Sequence, residues 1–134
     1  MTSIIDIEGI GPAYKEKLVA AGVRTTEKLL EVAGPKAGRK ALAEETGFSE
    51  AHILEWVNRA DLMRVKGVGE EYSDLLEAAG VDSPAELATR NAANLTAAMA
   101  AYDEKHNTVR RVPTEAEVQG WIDHAKTLEK AVTH

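Results

Sequence analysis

Two glycine pairs are the residues of this chain whose type and spacing could do chemistry. Gly9-Ile10-Gly11 runs directly into Pro12-Ala13-Tyr14-Lys15, and Gly67-Val68-Gly69 runs into Glu70-Glu71-Tyr72-Ser73. Glycine in such a place serves a backbone that takes a positive φ or comes close to something else. A helix that opens straight after the pair leaves its first N–H groups unpaired. Together with the positive end of the helix dipole, they form a place for an anion. Lys15 and Lys17 follow the first pair, and Arg64 and Lys66 precede the second or border it. They add the cations that meet a phosphate. The plainer reading is that both hairpins simply turn the chain between packed helices.

Other chemistries find little support. There is no cysteine, hence no disulfide, thiolate ligand or thiol nucleophile. His52, His106, His124 and His134 are scattered without metal-ligand spacing. Asp123-His124 has no nucleophile to complete a catalytic set. The Gly-x-Gly pairs are not dinucleotide fingerprints, since no strand precedes them and the third glycine is missing. The expectation is a non-enzymatic protein with no catalytic residue, no metal, no cofactor and no small-molecule substrate. Trp56 and Trp121 have rings that could stack on bases. Both sit mid-stripe on amphipathic segments, so core packing is expected for them and for Tyr14 and Tyr72.

The elements that position the glycine pairs come from a duplication. A shift of 58 residues lays Ile7–Ala33 over Val65–Asn91 with nine of 27 positions identical, among them both glycines, Tyr14 with Tyr72, Leu18 with Leu76, and Ala-Ala-Gly-Val with itself. A shift of 65 then lays residues 49–60 over 114–125, pairing Trp56 with Trp121. The second copy therefore holds seven extra residues, near Tyr102–Pro113. The segment Glu104–Pro113, with Lys105, Arg110 and Arg111, is read as a loop, either functional or a solvated connector. The repeats are assigned to residues 1–62 and 63–134 of a single compact domain, 1–134.

Each repeat reads as helical. Pro12 suits a first helical position. Tyr14, Leu18 and Ala21 recur at helical spacing before Gly22 stops the helix. Ser83-Pro84-Ala85-Glu86 is a capping box, matched more weakly by Thr25-Thr26-Glu27-Lys28. Ala41–Thr46 reads as a helix closed by Gly47. Ile53, Trp56, Val57, Ala60 and Met63 form one apolar stripe, and Val118, Trp121, Ile122, Ala125 and Leu128 form another. No stretch alternates at period two for long, so the fold class is all-α.

Residues 50–79, a helix, a Gly-Val-Gly hairpin and a second helix, resemble the helix-hairpin-helix superfamily. The order of two such units, with Gly-Ile-Gly-Pro-x-Tyr, Ala-Ala-Gly-Val and Leu-Glu-Trp-Val-Asn-Arg-Ala-Asp-Leu, resembles an uncharacterised family built from a duplicated helix-hairpin-helix. The resemblance implies two tandem units packed as one pseudo-two-fold domain, similar to sterile-alpha-motif domains. It also implies hairpins that grip the DNA phosphate backbone without reading sequence, with Ile10 and Val68 turned inward. Hairpin carbonyls in the superfamily can also hold a monovalent cation. DNA-gripping members carry a basic residue just after the second glycine and a small one further on. Here those places hold Ala13 and Lys15 in the first copy, and Glu71 and Ser73 in the second. Glu70 and Glu71 would occupy or repel a phosphate, so the second hairpin is discounted as a contact.

The first copy has only Met1–Asp6 before its hairpin. A helix at Thr114–Leu128 is therefore expected to fold back and complete it.

Charge divides the partner question. The net charge is −6, which argues against a general polyanion binder. It is uneven: residues 36–66 carry six Lys or Arg against five acids, residues 67–134 carry six against twelve. Lys36, Arg39, Lys40, Arg110 and Arg111 are further candidate phosphate contacts. The expected partner is double-stranded DNA or another nucleic acid, held by Gly9, Ile10, Gly11, Lys15, Lys17, Arg64, Lys66, Gly67 and Gly69. The alternative is a protein partner, or a second copy meeting the acidic stretch Glu70–Glu86. No segment has the make-up of a signal peptide or a membrane span, so a cytoplasmic protein without a membrane partner is expected.

Overall fold

The computed structural model describes residues 3, 4, 7, 10–107 and 109–133. Among these the chain is all-helical: α1 Pro12–Ala20, α2 Thr26–Ala33, α3 Lys36–Thr46, α4 Glu50–Leu62, α5 Glu70–Ala78, α6 Pro84–Ala88, α7 Ala92–His106 and α8 Glu115–Ala125. One isolated antiparallel bridge joins Ser3 to Thr25. The chain divides into two compact units, Met1–Asp61 with Lys130–His134, and Leu62–Glu129. No helix among the described residues is long and apolar enough to cross a membrane.

In the first unit the segment before α1 is wound by two short bonds. Ile7 N–H donates to the Ile4 carbonyl and Ile10 N–H to that of Ile7, each at 3.1 Å. The period of three puts Ile4, Ile7 and Ile10 on one side, and all three are buried. α1 then opens with Gly11 as N-cap and Pro12 in its first turn. It closes as a Schellman turn, with Gly22 at φ 89° and Val23 N–H donating to Leu18 O at 2.8 Å. Thr25 caps α2 by accepting from Lys28 N–H, and Ser49 caps α4 by accepting from His52 N–H.

The second unit uses the same bonds 58 residues later. Val65 N–H donates to Leu62 O, Val68 N–H to Val65 O, and Val81 N–H to Leu76 O. Gly69 is the N-cap of α5, and Ser83 caps α6 through Glu86 N–H. Its core gathers Leu62, Val65, Val68, Leu75, Leu76, Val81, Leu87, Leu95, Met99, Val118, Trp121 and Ile122. α8 packs on α6 and α7, and α5 packs on α7.

Three expectations change. α3 starts at Lys36 rather than Ala41. Gly38, a weak helix former, is tolerated because a side chain there would run into the Val32 carbonyl of the neighbouring turn. Of the stretch Glu104–Pro113, expected as a loop, the part up to His106 is helix, so Lys105 lies in the last turn of α7. Asn91 caps α7 at its start and Asn107, at φ 50°, ends it.

The third change concerns the C-terminus. α8 belongs to the second unit, where Trp121 lies against Tyr72 with ring centroids 5.1 Å apart. In the first unit the equivalent partner of Tyr14 is Trp56 on α4, at 5.4 Å. The segment that returns to the first unit is the tail after α8. Thr133 N–H donates to Gly34 O at 3.0 Å, and Lys36 N–H donates to Thr133 Oγ1 at 3.3 Å.

Candidate functional site

The two hairpins differ in what their glycines do. Gly67 is at φ 94°, and a β-carbon on it would lie 2.8 Å from Trp121 Nε1, so both sterics and conformation require glycine there. Gly69 and Gly11 are at φ −104° and −87°, extended backbone open to any residue, and a β-carbon on either meets nothing within 4 Å. The fold therefore makes no demand for glycine at either N-cap. Neither helix start has a side-chain cap, and the N-cap glycine puts no side chain over the first turn. Gly9 lies outside the described residues.

The charges around these two starts are opposed. The first turn of α1 holds no acid, with Lys15 half-buried and Lys17 exposed just beyond it. The first turn of α5 holds Glu70 and Glu71, and Glu71 meets Arg110 at 3.7 Å. At the places of Lys15 and Lys17 the second unit has Ser73 and Leu75, both buried. Ile10 and Val68 point inward at 3% and 4% exposure.

Most of the other candidate cations already serve the fold. Arg39 is buried, its Nη1 donating to Ala33 O at 3.1 Å and Gly34 O at 2.6 Å, its Nη2 to Thr133 O at 2.5 Å. Arg64 Nη2 donates to Glu129 O at 2.7 Å. Arg111 makes a two-pronged pair with Glu117, at 2.7 and 2.9 Å. That pair and the Thr114 N–H hold the Glu117 carboxyl down at about 2. Lys66 uses its backbone N–H on His124 Nδ1 at 2.9 Å and leaves its side chain exposed. Lys36 and Lys40 are exposed.

Residues 8–128 match the family model for a domain of unknown function, DUF4332. The chain belongs to this family. No curated protein and no solved structure matches it.

The expectation of core packing for Tyr14 in this DUF4332 chain is corrected by the structure. Trp56 and Trp121 are buried, but Tyr14 stands 39% exposed. Its ring is edge-on to Phe48 at 5.2 Å and tilted to Trp56 at 5.4 Å. His52, exposed, stacks on Trp56 at 5.6 Å with only 8° between the planes. Lys17 Nζ stands over the Phe48 ring, 5.5 Å from its centroid. The signal in the sequence was the comparison of copies: Phe48 and His52 of the first align with Pro113 and Glu117 of the second.

Proposed function

We propose that the protein is a non-enzymatic helix-hairpin-helix module whose first hairpin holds nucleic-acid phosphates without reading sequence. The observation that carries this reading is the contrast between two helix starts with the same backbone bonds. The first combines an open Gly11 N-cap, no acid in the following turn, and Lys15 and Lys17 nearby. The second places Glu70 and Glu71 where an anion would bind. A helix start with no side-chain cap and with local cations favours a phosphate, and two carboxylates at the same place disfavour one. Gly67 and Arg64 then serve the fold of the second unit, and Gly69, followed by Glu70 and Glu71, is discounted as a contact.

The reading predicts a small phosphate count. With about two to three contacts, log affinity falls with log salt at a slope of about −2 to −3. The test is fluorescence anisotropy of a labelled duplex at about 50 and about 200 mM salt. Salt-sensitive binding that is lost in the double variant Lys15→Glu/Lys17→Glu supports it. Unchanged binding in that variant, or none in low salt, sinks it and moves the search to a protein partner or a second copy.

A further inference from the structure

We propose that the aromatic face beside the first hairpin stacks unpaired nucleobases, so that single-stranded nucleic acid is the preferred partner. This rests on the phosphate reading above and names its substrate class. The argument begins with an exposed side chain that the fold does not use fully. Tyr14 keeps more than a third of its surface in water, and its hydroxyl meets no protein acceptor among the described residues. Its counterpart Tyr72 is half-buried and donates to Arg111 O at 3.0 Å. The same position is thus closed off in one unit and open in the other.

The surroundings of Tyr14 make the opening a platform. Phe48 and Trp56 hold its ring at fixed tilt from two sides. His52 is 6.3 Å away and presents a second exposed ring, kept parallel to the buried Trp56 beneath it. An exposed ring already held by its neighbours loses little conformational entropy when a base lies on it, and every base has a π-face to offer. Lys17 lies one helical turn beyond Tyr14, and both touch Phe48. A cation beside an exposed ring offers one group for a phosphate and one for a base, the two parts that alternate along a single strand. In a duplex the bases are stacked on one another and their faces are unavailable. An apolar peptide would use the rings but would leave Lys15 and Lys17 unpaired, which favours the nucleic acid.

The second unit supplies an internal control. It keeps the buried tryptophan, replaces Phe48 by Pro113 and His52 by Glu117, and ties Glu117 to Arg111. The second unit thus keeps the tyrosine and the tryptophan but has no counterpart of the Phe48 and His52 rings.

The experiment compares a labelled oligothymidylate of about 20 nucleotides with a duplex of the same length. The proteins are the unchanged chain, Tyr14→Leu, Tyr14→Phe and Lys17→Glu, each checked for its thermal transition. The expected result is tighter binding of the single strand and a loss of about tenfold for it in Tyr14→Leu. Tyr14→Phe restores it, and duplex binding is unchanged in both. Lys17→Glu weakens both ligands. Equal affinity for the two ligands, with Tyr14→Leu moving neither, overturns the stacking proposal and leaves the phosphate reading standing. Absence of binding to both overturns the two together.

Discussion

Gly67 and Trp121 are in such close contact that a methyl group on the glycine would sit 2.8 Å from the indole nitrogen. The glycine is also held at φ 94°. The second hairpin is therefore fixed from two directions, by its own backbone and by α8. Gly67→Ala is expected to lower stability by about 1–3 kcal/mol. Urea unfolding read through tryptophan emission measures it, and an unchanged midpoint would show that α8 yields easily.

Gly11 calls for the opposite outcome. Its backbone is extended and its surroundings are empty, so Gly11→Ser should leave stability equal or raise it by a few tenths of a kcal/mol through a serine N-cap. The same hydroxyl would accept from the amides offered to a phosphate. Nucleic-acid affinity should fall several-fold while the melting temperature holds. Equal losses of both would make Gly11 a structural residue.

Arg39 holds a turn to a tail. Arg39→Met keeps the buried stem but leaves the Ala33 and Thr133 carbonyls without their donor, with an expected cost of about 1–3 kcal/mol. Deleting residues 130–134 should cost stability as well, since Val132 is buried and Thr133 N–H donates to Gly34 O. Thermal melts of the two variants and of their combination test the coupling. Additive losses would mean that the arginine acts independently of the tail.

Glu117 gives a dependence on pH. Arg111 first, then the Thr114 N–H, keep its folded-state pKa at about 2, below the ordinary 4.5. A depressed carboxylate stabilises the fold above its unfolded value and stops doing so as pH falls through the folded one. Glu117→Gln retains a residue able to close the capping box but removes the charge. The unchanged chain should melt above the variant near neutral pH, and the gap should close between pH 4.5 and about 2. A gap that persists in acid would assign the effect to packing.

How much of this was legible in the sequence depended on where the partner of each residue lay. The hairpins, their buried aliphatics and the two tryptophans follow from local spacing. α7 did not, because Ala92–Ala101 is rich in alanine and shows no apolar stripe against a polar face. Arg39 reads as a surface cation because its acceptors are backbone carbonyls, which residue types do not reveal, and one of them, Thr133 O, is 94 residues away. Tyr14 shares helical spacing with the buried Leu18 and was read as core. The difference from Tyr72 comes from a distant stretch: the Tyr72 hydroxyl donates to Arg111 O, near the place where the second copy has its extra residues.

The tail carries a consequence for the order in which the chain matures. Residues 130–133 complete the first unit, yet they are synthesised after the whole of the second. On the ribosome the earlier-made unit must wait for the later one to emerge before its last backbone bonds and the Arg39 anchor can form. The N-terminal half, usually the first to finish folding, is here the last to be closed.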